Sequence, residues 1–240
     1  MTDLTDRQVQ ILKAVVEEYT QTAEPVGSET LDRKYNLGVS PATIRNEMAY
    51  LVELGYLKQP HTSAGRTPTP GAIKLYINEL MRERSLTVAE EVSAKEKIWE
   101  KRHDLDQVLR SATYELARRT GCIGIALTDE MKMYSSGYSY ILDLPEFYDI
   151  DVTRTVLGLL DEAQLMMDIF RLAHGDREVH ILVGDELGNE YLEPVGVVYI
   201  DFQTAHHRGS LGIIGSTRLD YPYVVPLVRH FGHLIQELSL

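Results

Sequence analysis

The sequence predicts an α+β protein whose N-terminal third is a winged helix-turn-helix domain and whose remainder contains a largely antiparallel sheet. Two observations predict the first part: three helical patterns separated by short breaks, and a strand–tip–strand pattern directly after the third. The second part is predicted by β-rich runs that alternate with helical patterns. These runs cover residues 122–128, 178–184, 195–202 and 210–215.

The first two helical patterns are short and well delimited. Residues 4–19 place apolar side chains at i, i+3 and i+7, which is the spacing of one helix face. Pro25 and Gly27 are poor helix-interior residues and end this pattern. Ser28 then fits the N-cap of a second helix, which a tight turn around Gly38 separates from the third.

The third helical pattern is the predicted recognition helix. Ser40 is a suitable N-cap, Pro41 suits the first helical position, and Gly55 suits the position after the C-cap. Its apolar stripe consists of Ile44, Met48 and Leu51. Because this stripe must face the other two helices, the opposite face is free to meet the major groove of DNA.

A hairpin is predicted next, in the usual position of a wing. Residues 56–60 and 66–68 are its predicted strands, and residues 61–65 form a small polar tip. Another helix is expected over residues 70–80. We therefore predict a winged-helix DNA-binding domain over residues 1–80.

The rest of the chain is predicted as a connector and a second domain. Residues 85–120 are polar and helical, and their first half is either a solvated connector or a packed dimer helix. Residues 152–173 and 222–238 are predicted as two further amphipathic helices. The predicted boundaries are 81–104 for the connector and 105–240 for the second domain.

Charge and composition limit where a nucleic acid could bind. The formal net charge is −12, yet residues 1–84 hold 10 Lys and Arg against 11 Asp and Glu, whereas the remainder holds 14 against 25. A DNA contact therefore belongs in the first third. The single cysteine, the polar N-terminus and the lack of a long apolar run predict a soluble cytoplasmic protein without a membrane segment.

Ten residues of the third helix and the wing are the candidate DNA contacts. Asn pairs with adenine, Arg with guanine, and Ser or Thr with phosphates or base edges, whereas the wing suits phosphate or minor-groove contact. The alternative is an ordinary solvated face. Glu47 either accepts a hydrogen bond from a cytosine or pairs with a basic neighbour, because it would repel a phosphate. The candidates are Ser40, Thr43, Arg45, Asn46, Glu47, Tyr50, His61, Thr62, Ser63 and Arg66.

Other reactive residues form no convincing catalytic set. His230 and His233 share one helix face at a spacing compatible with a metal, but no cysteine joins them and Asp220 is only a speculative third ligand. Cys122 opens a predicted core strand and is expected to be a buried, inert thiol. Residues 209–218 are glycine-rich without the spacing of a phosphate-binding loop. We therefore predict no metal, no cofactor and no enzyme activity.

Three stretches carry a family resemblance: residues 23–31 (AEPVGSETL), residues 40–69 (SPATIRNEMAYLVELGYLKQPHTSAGRTPT) and residues 209–221 (GSLGIIGSTRLDY). They closely resemble the bacterial HrcA heat-inducible transcription repressors. The resemblance implies a repressor of chaperone genes that binds an inverted-repeat operator, the CIRCE element, as a dimer. It also implies a GAF-like regulatory and dimerisation domain and a GroE chaperonin that keeps the repressor active.

Two departures from the family pattern affect these expectations. Family members are usually about a hundred residues longer, with a dimerisation segment inserted in the GAF-like domain, whereas residues 122–149 here run directly past that point. The helical region 85–120 or the sheet would then have to supply the dimer interface. Residues 70–80 also begin differently from the family's glycine-aromatic pattern. Two other functions are considered: a winged-helix regulator whose GAF-like domain binds a small molecule, and an enzyme with a helix-turn-helix appendage.

Overall fold

The computed structural model describes residues 4–173 and 177–238. The chain divides into two compact units, with the division between Arg82 and Glu83. In these ranges no helix is long and apolar enough to span a membrane.

The first unit has the element order of a winged helix. It contains α1 (Asp6–Thr22), α2 (Ser28–Tyr35), α3 (Pro41–Glu53), β1 (Leu57–Lys58), β2 (Thr67–Pro68) and α4 (Pro70–Leu75), which continues as one π-helical turn (Tyr76–Leu80). The two strands pair antiparallel, with Leu57 opposite Pro68 and Lys58 opposite Thr67. The predicted helix-turn-helix and wing are therefore confirmed.

The start of α2 differs from the sequence prediction. The N-cap is Gly27, and Ser28 is the first helical residue, so the cap makes no side-chain hydrogen bond. The other α-helices of this unit start with side-chain caps: Thr5 and Gln8, for example, form a reciprocal capping box on α1. Because glycine is itself a favoured N-cap, with a cost of only a few tenths of a kcal/mol relative to serine or threonine, α2 loses little stability by this start.

A buried carboxylate holds α2 against α1. Glu18 is 4% exposed, and it accepts hydrogen bonds from Lys34 Nζ at 2.6 Å and from the Tyr35 hydroxyl at 3.3 Å. Burial, with the Glu18 charge beside it, raises the pKa of Tyr35 to about 12. The carboxylate is therefore paired, as a buried charge must be.

The second unit combines a sheet with helices. Its helices are α5 (Val88–Trp99), α6 (Leu105–Thr120), α7 (Ile150–Asp161), α8 (Ala163–Phe170) and α9 (Tyr221–Gln236). Its strands are β3 (Ile123–Thr128), β4 (Met133–Ser136), β5 (Val179–Val183), β6 (Val195–Gln203) and β7 (Arg208–Ser216). Single 3-10 turns cover Tyr140–Asp143, Pro145–Tyr148, Gly184–Leu187 and Glu190–Leu192.

The sheet is antiparallel throughout, in the order β4-β3-β7-β6-β5. One face packs against α7 and α8 through a cluster that includes Ile125, Val156 and Val197. The other face packs against α6 and α9. Burial of both faces explains why β3 and most of β6 are continuous apolar runs instead of alternating patterns. The arrangement is consistent with a GAF-like fold, and the predicted α+β class is confirmed.

Two sequence predictions in the second unit differ from the structure in detail, and one strand was missed. The polar helical stretch is two helices, because Asp104 caps α6 by accepting a hydrogen bond from the Gln107 N–H. The predicted helix over 152–173 is also two, since Glu162 is extended between α7 and α8. Strand β4 was not predicted; its Tyr134 is its one buried residue.

The helix α5 is attached to the second unit by its buried residues and by one arginine. Ala94 and Ile98 are buried where α5 packs on α6 and α9. The Arg119 guanidinium on α6 donates hydrogen bonds to the Glu90 carbonyl and the Ser93 hydroxyl, both at 3.2 Å, and to Glu115. Burial alone would raise the pKa of Glu115, but hydrogen bonds from two arginines hold it below its ordinary value.

Candidate nucleic-acid interface

The recognition helix α3 begins, ends and packs as its sequence predicts. The Ser40 hydroxyl accepts a hydrogen bond from the Thr43 N–H at 3.2 Å, with Pro41 in the first turn. The chain leaves the helix at Gly55, whose φ of +78° is the left-handed conformation that favours glycine. The buried side chains are Ile44, Met48 and Leu51.

The predicted DNA-contact residues of α3 lie mainly on its outward face. Arg45, Asn46 and Tyr50 are exposed, and Tyr50 retains 47% of its accessible surface. Thr43 is half-buried, and its hydroxyl lies 3.0 Å from that of Ser40, which is exposed. This face therefore presents an amide, a guanidinium, a phenol and two hydroxyls, groups suited to base edges and phosphates.

Glu47 is turned toward α1. Its carboxylate accepts a hydrogen bond from Gln8 Nε2 at 3.1 Å and lies 3.6 Å from Arg7 Nη1. Of the two alternatives raised by the sequence, the structure shows the pairing with a basic neighbour. Partial neutralisation by Arg7 reduces the repulsion that Glu47 would exert on a nearby phosphate.

The wing is held to the rest of its unit by a bridge that the sequence does not signal. Val26 and Arg66 exchange both backbone hydrogen bonds, at 2.8 and 2.9 Å. Gly65 must be glycine for this approach, because a Cβ there would lie 2.4 Å from the Val26 carbonyl oxygen. The wing is thus tied to the segment that starts α2.

The wing tip exposes three of the predicted contact residues: His61, Thr62 and Ser63. Gln59 Nε2 donates hydrogen bonds to the carbonyls of Thr62 and Ala64, at 2.9 and 3.2 Å, and so shapes the tip. Sequence reasoning missed this role of Gln59, which follows only from the turn geometry.

Arg66, the remaining candidate, is half-buried at the base of the wing. Its Nη1 donates to the Ala64 carbonyl at 3.2 Å. Its Nε is buried and has no hydrogen-bond partner among the residues that the structure describes. A buried donor without an acceptor is costly, so a ligand atom or a water that accepted a hydrogen bond from this Nε would stabilise the site.

The other reactive residues are engaged elsewhere. Burial raises the pKa of the Cys122 thiol to about 12, so the thiolate is not formed near neutral pH. His233 Nε2 bonds to Glu178, and His230 Nε2 lies 3.4 Å from the Glu91 carbonyl. Across residues 4–173 and 177–238, no group of three His, Cys, Asp or Glu side chains could hold a metal ion.

A three-helix unit with a tight turn before α3 and a two-stranded wing after it defines a winged helix-turn-helix DNA-binding protein. Family comparison identifies which one. The family model described as "Winged helix-turn-helix transcription repressor, HrcA DNA-binding" matches residues 3–81, and "HrcA protein C terminal domain" matches residues 70–225. The chain belongs to the HrcA family.

Similar proteins agree with this assignment. A protein of Moorella thermoacetica named "Heat-inducible transcription repressor HrcA" is 46% identical over 328 residues, covering 94% of this chain and 95% of the relative. A protein of the same name from Pelotomaculum thermopropionicum is 28% identical over 326 residues, covering 94% of each chain. These alignments exceed the 240 residues of this chain, so the relatives contain residues without a counterpart here.

A solved structure has the same fold. It is described as "Crystal structure of a hypothetical protein at 2.2 A resolution" and superposes with a TM-score of 0.76. The two chains share 17% sequence identity, and the match covers 98% of this chain and 97% of the other. At this identity the likeness concerns the fold alone.

Proposed function

We propose that this protein is a heat-inducible transcription repressor that binds an inverted-repeat operator of the CIRCE type in the cytoplasm. The observation that carries the proposal is the outward face of α3, where Asn46 and Tyr50 stand beside Arg45 above a fully buried inner stripe. The name shared by the relatives supports the heat-inducible part. The activity is binding, with no chemical step.

Asn46 is the proposed base-reading residue. A bidentate amide–adenine pair contributes about 1–3 kcal/mol of discrimination, so Asn46→Ala should lose about 5- to 150-fold of operator preference. Asn78→Ala is the matched control, because Asn78 is an exposed asparagine of the same unit on the π-helical turn. The measurement is fluorescence anisotropy with an operator selected from a random duplex pool and with its scrambled counterpart. A parent protein that shows no preference for the selected duplex would refute the proposed function.

The remaining predicted contacts are proposed to support Asn46. Thr43, Ser40 and Tyr50 would border the base-reading face, and His61, Thr62 and Ser63 would lie against the backbone or minor groove. Glu47, with its partners on α1, would orient the helix. No observation on the described residues favours a small-molecule-responsive regulator over this proposal.

We further propose that the operator is bound by a homodimer. A two-fold symmetric operator matches two copies of one recognition helix. The outer face of α5 offers a contact surface, because Val88, Val92 and Trp99 lie at i, i+4 and i+11 and are 75%, 50% and 47% exposed. Val92→Glu should give a monomer in analytical ultracentrifugation, whereas Leu165→Glu on α8 should not. A parent that sediments as a monomer with and without operator would refute the dimer.

These proposals give each part of the chain a role. Residues 1–80 would bind DNA, residues 81–104 would connect, and residues 105–240 would form the GAF-like regulatory and dimerisation domain. The division between Arg82 and Glu83 supports the first boundary. Because α5 packs on α6 and α9, the proposed connector belongs physically to the second unit.

A GroE chaperonin is proposed as a further partner. A contiguous exposed apolar patch marks an interaction surface. In the second unit, Tyr148 and Ile150 lie two residues apart and are 72% and 64% exposed, and we propose them as part of such a patch. Purified chaperonin added after a heat pulse should restore operator binding. The double variant Tyr148→Ser with Ile150→Ser should respond less, and an equal response would refute this surface as the contact.

A further inference from the structure

The first unit contains a cleft between the start of α2, the helix α3 and the wing. Its volume is about 340 Å³, and its lining includes Ser28 from α2, Arg45 from α3, and Gln59, Ser63 and Arg66 from the wing. The Val26–Arg66 bridge is part of the wall, since Val26 and Arg66 both line the cleft. The cleft therefore opens beside the surface that carries the predicted DNA contacts.

The lining carries positive charge only. It contains two arginines and no Asp or Glu, in a chain whose net charge is −12. Neither Arg45 nor Arg66 forms an ion pair with a carboxylate of the described residues, although most other arginines of the protein are paired with one. Two guanidiniums without a carboxylate partner in one concave site attract an anion.

Two further features point to an anion in this cleft. The buried Nε of Arg66 has no acceptor among the described residues, and a charged donor left unpaired in a buried position is costly. The N-cap of α2 makes no side-chain hydrogen bond, so its first N–H groups remain available. Ser28, in that first turn, lines the same cleft.

We propose that this cleft holds one phosphate of the DNA backbone, with Arg45 and Arg66 as its charged donors and the start of α2 behind it. The proposal rests on the proposed function and changes one assignment within it. Arg45, which the sequence assigns to a guanine, contacts the backbone instead and fixes the position of α3 in the groove. Base reading then falls to Asn46 and its neighbours.

The experiment separates backbone contact from base contact by salt and sequence dependence. Full-length parent, Arg45→Gln, Arg66→Gln and the double variant are titrated with selected and scrambled duplexes over a salt series. A phosphate contact predicts equal weakening on both duplexes and a shallower slope of log K against log salt. Because both arginines bind the same phosphate, the slope of log K against log salt should become shallower by about 0.9 per bound copy in the double variant, and not by twice that amount.

Control variants exclude a general effect of charge. Arg33→Gln removes an exposed cation on α2 that does not line the cleft, and it should leave the slope unchanged. Ser63→Glu places a carboxylate in the cleft at an exposed position, so it tests the site without touching the hydrogen bonds of Arg66. It should weaken both duplexes more than Asn78→Glu does.

The outcomes are distinguishable from those of the proposed function. If Arg45→Gln weakens only the selected duplex and leaves the slope unchanged, Arg45 reads a base and the phosphate site is overturned. Equal effects of Ser63→Glu and Asn78→Glu would also overturn it. If the parent has no operator preference but the arginine variants still flatten the slope, the operator function fails and the phosphate site stands.

Discussion

The same chemical change at two glycines of the second unit should have opposite effects on stability. At Gly124 of β3, a Cβ would lie 2.0 Å from the Thr113 carbonyl oxygen and 2.8 Å from its carbonyl carbon. Both atoms are backbone atoms of α6, so the helix must move away from the sheet to admit a methyl group. At Gly158 of α7, nothing lies within 4 Å of the added Cβ.

The expected changes in stability follow from these two environments. Overpacking against a backbone that must shift costs about 1–3 kcal/mol, so Gly124→Ala should lower the melting temperature by about 2–12 °C. In an open helix interior, alanine is better than glycine by about 0.5–1 kcal/mol, so Gly158→Ala should raise it by about 1–4 °C. Urea and thermal unfolding followed by circular dichroism measure both changes. Shifts of the same sign at the two positions would refute the packing argument.

The glycine pair also tests how heat acts on the purified protein. Without chaperonin, release of operator DNA on warming should occur first in Gly124→Ala, then in the parent and last in Gly158→Ala. The order follows if the second unit has to stay folded to hold two copies together. Identical release temperatures in variants whose melting temperatures differ would show that heat does not act through this unit.

Two further predictions concern a helix cap and an ion pair. Ser40→Ala should cost about 1 kcal/mol in urea unfolding, whereas Ser40→Asp should keep the stability but weaken DNA binding by bringing a negative charge near phosphates. The hydrogen bonds from Arg229 hold the pKa of Glu83 below its ordinary value. The contribution of the Glu83–Arg229 ion pair to the free energy of unfolding is therefore present above about pH 4.5, the ordinary pKa of a glutamate. It is lost as the pH falls through the lowered pKa of Glu83. Because the ion pair is partly exposed, Glu83→Gln should lower the free energy of unfolding by about 0.2–1 kcal/mol at pH 7. The same substitution should have no effect near pH 2. An equal cost at both pH values would contradict an ionic origin.

Local chemistry made much of the fold predictable from the sequence. Ser40, Gly55 and Gly121 set helix ends through caps and left-handed turns, which depend on neighbouring residues alone. The missed elements had weaker local signals. The end of α7 at Glu162 has neither Pro nor Gly, and β4 has only four residues, two of them serines. The pairing of β3 with β7 joins residues far apart in the chain, and no sequence pattern specified it.

In the candidate site, too, local features could be predicted from the sequence and long-range contacts could not. The outward position of Asn46 follows from helical periodicity once the buried stripe is known. The partners of Glu47 come from α1, 39 residues away in the case of Gln8, and could not be assigned from the sequence. The phosphate cleft depends on the bridge between Val26 and Arg66, which only the folded chain creates.

The charge distribution has a consequence for specificity. If each copy places one phosphate in its cleft, a dimer neutralises two, which contributes only about −1.8 to the salt slope. Hydroxyl, amide and backbone donors add affinity without releasing counterions. The acidic second part of the chain, with 14 Lys and Arg against 25 Asp and Glu, repels unrelated DNA. Such a protein relies on base contacts more than on electrostatics, so its operator preference should change little with salt. A slope clearly steeper than about −1.8 would require cations beyond the cleft and would contradict this reasoning.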